Sequence, residues 1–192
     1  MTVYAIRIDY YGFQQLDLQL TDLFPFVPDD VDFDDVVQFS QRNASLQAWW
    51  QTPDTRFAPI EDKPRGEIPD LSLWLYATLV LSPKAHRLLG ELLQPYGEFL
   101  PVTVAGETFQ IFNCLRFGEE DKAACAFDQA DGMELGLNHL EFQASVEQEV
   151  IFKSRLQNAA SLFCTDRLKA VVESCELSGV VFDTNLIEVF EE

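Results

Sequence analysis

Carboxylates are the groups in this chain with the most chemical potential. Its 192 residues carry 32 Asp and Glu against 13 Lys and Arg, a formal net charge of −19. Paired carboxylates can act as acid and base in a hydrolase, or ligate a hard cation. The densest run is Asp29-Asp30-Val31-Asp32-Phe33-Asp34-Asp35. Asp30, Asp32 and Asp34 match the first three ligand positions of a calcium-binding loop. The sixth position is then Asp35 where glycine is needed, and the twelfth is Gln41 where a bidentate Glu belongs. The run fits better the acid-rich start of a helix, where negative charge complements the dipole, or a patch that binds a partner.

The other reactive residue types are sparse. His86 sits beside Lys84 and Arg87 on a charged helix face, and His139 lies in an expected strand. Neither belongs to a nucleophile signature or a metal-ligand motif. Cys114, Cys125, Cys164 and Cys175 form no C-x-x-C pair and read as reduced, mostly buried thiols. There is no glycine-rich phosphate loop. The chain is therefore expected to hold no cofactor or metal and to have no catalytic residue. An enzyme built on clustered carboxylates and a metal rests on acid density alone, because 32 acids create pairs by number.

A second acidic region spans 117–149, with nine acids against Lys122 alone. Glu119, Glu120, Asp121, Asp128 and Asp131 are candidate partner-binding residues, together with Asp29, Asp30 and Asp32. Trp49 and Trp50 join them, since tryptophan is enriched at binding hot spots. An acidic surface repels nucleic acid and anionic lipid and attracts basic proteins. With 47% hydrophobic residues and 16 Phe, the chain can bury a core and is no disordered acidic tail. Its longest apolar stretch, Leu73 to Leu81, is too short for a membrane helix of roughly 20 residues. The segment Met1 to Asp9 lacks the apolar run of a secretion signal, so a soluble cytoplasmic protein is expected.

The elements that must carry these residues read as an α+β fold, a mixed or antiparallel sheet with packed helices in two lobes. Residues 3–8 form an opening strand. Asp29 to Gln41 reads as a helix with Phe33, Val36 and Val37 on its apolar face, and 44–50 adds a turn ending at Trp49-Trp50. Pro53, Pro59, Pro64 and Pro69 mark 51–70 as an extended connector. It divides an N-terminal lobe, 1–50, from a larger lobe, 71–192.

The larger lobe carries a possible repeated strand–helix–strand unit. Ser82 is followed at offsets three, six, seven and ten by Ala85, Leu88, Leu89 and Leu92. Thr165 is followed at the same offsets by Leu168, Val171, Val172 and Cys175. Ser82 and Thr165 suit N-caps, and Pro83 suits the first helical position. Each helix leads through a glycine, Gly97 or Gly179, into an apolar run. Two such units also arise by chance in α+β proteins. Alternation in Leu100, Val102 and Val104, then in Phe109 and Ile111, predicts a hairpin turning at Ala105-Gly106-Glu107. Further strands are expected at 135–142 and 150–153.

Several of these segments carry a resemblance. They are Ile68-Pro69-Asp70, Leu81-Ser82-Pro83-Lys84-Ala85, Glu98-Phe99-Leu100-Pro101-Val102 and Phe109 to Leu115. Ile151-Phe152-Lys153, Leu162 to Leu168 and Leu177-Ser178-Gly179-Val180-Val181-Phe182 continue the series. Over roughly residues 65–185 this chain resembles immunity protein family 11 of bacterial polymorphic toxin systems, formerly a domain of unknown function. The resemblance implies a small cytoplasmic protein that neutralises a cognate toxin by binding it, without catalysis. It brings no catalytic motif. Where family members often carry an acid after the second hairpin strand, this chain has Cys114-Leu115-Arg116. Charge adds that the toxin domain is basic. An acidic interaction or regulatory module for another basic partner is the alternative.

Overall fold

The computed structural model describes residues 2–59, 66–75, 77–130 and 133–187. It shows an α+β fold in which helices pack on mixed and antiparallel sheets. The larger sheet is built from β3 (Asp54–Thr55), β5 (Leu71–Trp74), β6 (Thr78–Leu81), β7 (Gly97–Val104) and β8 (Glu107–Cys114). Its order is β3-β7-β8-β6-β5, antiparallel except for β3 beside β7. The hairpin β7–β8 pairs in unbroken register from Gly97 opposite Cys114 to Val104 opposite Glu107. Ala105 and Gly106 form its tip, both with positive φ, 51° and 85°. That geometry matches the twist of the flanking strands, and glycine adopts it without strain.

The smaller sheet has the order β11-β12-β1-β13, from β11 (Ile151–Lys153), β12 (Leu162–Thr165), β1 (Val3–Ile8) and β13 (Val180–Asp183). The opening strand is thus paired on both sides with strands from the end of the described chain. This pairing crosses the boundary expected between 1–50 and 71–192. The proline-rich segment is also tied in at both ends. β4 (Phe57–Ala58) pairs with β2 (Gln15–Leu16), and Glu67 bridges Phe13. The middle of that connector, 60–65, lies outside the described residues.

Four helices accompany the sheets among the described residues: α1 (Phe33–Val37), α2 (Phe39–Arg42), α3 (Pro83–Leu93) and α4 (Asp166–Ser174). Ser82 Oγ accepts from the Ala85 amide and Thr165 Oγ1 from the Arg167 amide, so both caps form. α3 crosses from β6 to β7, with antiparallel β8 lying between them. α4 crosses from β12 to β13, with antiparallel β1 lying between them. Both helices press on one core, through Ala85, Leu89 and Leu93 of α3 and Leu168 and Val172 of α4. Leu88, expected inward, is 42% exposed. The buried stripe runs along positions 85, 89 and 93, which leaves 88 on the flank of α3.

Alternation along the strands sends successive residues to different layers. Leu79 and Leu81 face the helices, whereas Val80 joins Leu100, Val102, Val104, Phe109 and Ile111 beneath the N-terminal residues. Likewise Ile6 meets the helix core, while Ala5 joins Phe152, Phe163, Leu140, Phe142 and Val146. The predicted helix over 29–41 is shorter and broken. α1 starts at Phe33, capped by Asp32, and Gln38 leaves helical geometry before α2. No helix among the described residues is long and apolar enough to cross a membrane.

Asp70 ties the two sheets together. Its carboxylate accepts from Lys84 Nζ at 2.9 Å, Ser82 Oγ at 3.2 Å and the Ser178 amide at 3.3 Å. Burial by itself would raise this carboxyl, but Lys84 and the Ser178 and Ser82 hydrogen bonds hold it below its ordinary value. Gly179 follows with φ 104°, where a Cβ would lie 2.1 Å from the Leu71 carbonyl oxygen. Only glycine fits that crossing.

Candidate protein-binding face

The acids of 117–149 are brought together by a chain that folds back on itself. The amide of Asp121 donates to the Glu141 carbonyl at 2.9 Å, and that of Gln143 to Glu119 at 2.8 Å. The run continues outward as a two-stranded ribbon, β9 (Ala126–Ala130) with β10 (Met133–His139). Leu140, Phe142 and Val146 bury the root of this ribbon. There Phe142 meets the rings of Phe152 and Phe163 at 5.0 and 5.3 Å. An apolar foot thus holds an acidic extension.

The acids divide by what they touch. Glu119, Asp128 and Glu141 are exposed. Glu119 accepts from Ser145 Oγ, Asp128 from Asn138 Nδ2, and Glu141 lies 3.8 Å from His139 Nε2. None of these contacts supplies a Lys or Arg. Asp121 is half-buried and accepts from the Ala123 amide in its own turn. Glu120 points inward and accepts from Ser154 Oγ and from the amides of Arg155 and Leu156. Glu149 is paired with Arg116 at 2.6 Å. Arg116, the departure noted after the second hairpin strand, thus serves an ion pair. Asp131 lies outside the described residues.

The earlier acidic run is placed differently. Asp29 and Asp30 are exposed ahead of α1. Asp32 caps that helix through the Asp34 amide at 2.9 Å. Asp32, Asp34 and Asp35 then converge on Arg42 at 3.3, 3.1 and 2.9 Å. Two of the three acids that match calcium-ligand positions, Asp32 and Asp34, are thus paired with Arg42. Its own pKa is raised, foremost by the Asp35 hydrogen bond. Arg42 was missed as a partner for these acids, although it is the one Lys or Arg between Arg7 and Arg56.

Trp49 is buried and Trp50 is partly buried against the same core. Trp49 is 8% exposed. Trp50 donates from Nε1 to the Pro101 carbonyl at 2.8 Å and packs edge-on against Trp74. His86 packs against Phe99, with ring centres 4.8 Å apart, on the face of α3. His139 lies at the end of the ribbon. Among the described residues, no three His, Cys, Asp or Glu side chains converge as ligands of one metal.

Glu98, Asn113 and Lys153 are polar residues that the fold also buries, which the apolar strand contexts of Glu98 and Asn113 do not announce. Lys153 stands in the run Ile151-Phe152-Lys153, all buried on β11. A lysine inside an apolar strand was the available signal. In comparisons with known proteins, no family model matches this chain, and no curated protein matches it.

Proposed function

We propose that this chain neutralises a basic bacterial toxin domain by stoichiometric binding, in the manner of the immunity family it resembles. The observation that supports this reading most is the acidic extension on its apolar foot. Glu119, Asp128 and Glu141 face solvent there without a Lys or Arg among their contacts. The opposing run is different, since three of its acids are drawn onto Arg42. An exposed, single-sign surface steers a cationic partner into place and raises the rate of encounter. The extension, rather than Asp29, Asp30 and Asp32, is the contact region in this reading. Trp49 and Trp50 pack into a different core, with Leu100 and Val102.

Such an inhibitor acts in the cytoplasm of the cell that makes the toxin. It binds protein rather than nucleic acid or membrane, and it turns nothing over. Co-expression with candidate toxin domains from the source cell tests this. Rescue from one toxin, and no rescue from unrelated ones, is expected. Protection should scale with the ratio of this chain to the toxin. Protection by far less than one molecule per toxin would reject binding and restore the carboxylate enzyme. A regulatory module for another basic partner uses the same face, and is told apart by absence of rescue from every toxin together with a stable complex with that partner.

A further inference from the structure

Residues 39–46 close over a floor that is polar where a core is expected. Lys153 is 0% exposed, and its Nζ donates to the Ser40 carbonyl of α2 at 2.7 Å. Ser40 Oγ in turn donates to the Ala159 carbonyl. Asn113, also 0% exposed, donates from Nδ2 to the Ala44 carbonyl at 3.0 Å. Glu98 accepts from Ser45 Oγ and from the Leu46 amide at 2.7 Å. Asn43 Nδ2 donates to the Leu115 carbonyl.

Two features make this closure costly. The Oδ1 atoms of Asn43 and Asn113 are buried with no hydrogen-bond donor. A buried acceptor left unpaired forfeits its hydration. The Lys153 ammonium has one carbonyl and the Phe117 ring, 4.6 Å from Nζ, but no carboxylate partner among the described residues. A buried charge without a counter-ion is more costly still. Both penalties vanish when water enters. The apolar side chains Phe39 and Leu46 oppose opening, since each is buried in the neighbouring core.

We propose that residues 39–46 form a cover that opens locally, and that its opening is coupled to protonation of Lys153. The charged groups around Lys153 leave it in control. Burial disfavours its charged form most and Arg155 adds to that, while Cys114 on β8, whose thiol burial pushes up to about 11, is neutral below that and supplies no counter-charge. Glu120 is engaged by the amides of 155 and 156, and Glu149 by Arg116. Asp32, Asp34 and Asp35 are held by Arg42, and Glu98 by Ser45, Leu46 and Asn113. Burial is the largest influence and pushes the Lys153 amine down to about 8. In the opened cover the amine returns to its ordinary value near 10.5. Between these two values the open form binds more protons, so opening becomes rarer as pH rises. Below about pH 8 both forms are charged and the dependence flattens.

Hydrogen exchange of the full chain tests this, read at the amides of 39–46 between pH 6.5 and 9.5 with intrinsic rates divided out. These amides should exchange by local opening, faster than those of β8. Their opening constant should approach a tenfold fall per pH unit, roughly, above pH 8. In Lys153→Met the pH dependence should disappear. If that variant does not fold, the wild-type profile alone decides. Exchange of 39–46 at the same rate as β8 would overturn the cover. A wild-type opening constant that is flat with pH would overturn the coupling.

Discussion

Neighbouring acids in this chain have unlike roles, and the difference is one of partners. Glu119 faces solvent and meets Ser145, while Glu120 accepts three hydrogen bonds from the 154–156 turn. Glu120→Gln should therefore lose about 1–3 kcal/mol of stability, the cost of disrupting a partly buried charged acceptor of three hydrogen bonds. Glu119→Gln should stay within about 0.5 kcal/mol, as exposed substitutions do. Urea unfolding of the two variants measures both, and equal losses would defeat the distinction. Among these candidate partner-binding acids, Glu119 is exposed while Glu120 and Asp121 are half-buried. Nothing in the local sequence separates Glu119 from Glu120, because the turn that chooses between them lies 34 residues away. Asp32 shows the opposite case. Its capping role is local, though the helix was expected to start at Asp29, whereas the convergence of three acids on Arg42 depends on how the chain turns after Gln38.

Elements were legible wherever their signals are local. Ser82 and Thr165 cap the helices expected of them, and the β7–β8 hairpin turns at Ala105-Gly106. Pairing partners were not, because β1 finds β12 and β13 across the length of the chain. Face assignment fell between the two. The spacing that put Leu88 and Leu89 inward together is resolved by packing, which buries Leu89 fully and leaves Leu88 at 42%. Leu89→Asp should then unfold the protein or cost several kcal/mol, roughly, by burying an unpaired carboxylate. Leu88→Asp should shift the melting temperature by little, since its position already meets solvent. Thermal melts of the pair decide the helix register. Loss of fold in both would mean that α3 is rotated from the position described. Val172, 3% exposed on α4, should behave like Leu89.

At the scale of the whole molecule, a net charge of −19 opposes the compact state and recruits cations to it. Arg42 and Arg116 offset part of this within the fold, yet the ribbon side has only Lys122 against its acids. Repulsion among exposed carboxylates is screened as the Debye length falls from about 30 Å at 0.01 M salt to about 8 Å at 0.15 M. The melting temperature should accordingly rise over that interval. Replacing Glu119, Asp128 and Glu141 together by Lys should raise stability at low salt and shrink the salt effect, because repulsion is removed where no Lys or Arg pairing is lost. The same variant should lose protection against the toxin, if steering by this face is what brings the partner in. Reversal of Asp32, Asp34 and Asp35 should do the reverse, weakening the fold by breaking the Arg42 cluster while leaving protection intact once folded. The two variants therefore separate charge that binds from charge that holds the chain together. A triple Lys variant of the ribbon side that protects as well as the parent would remove the acidic extension from the binding site.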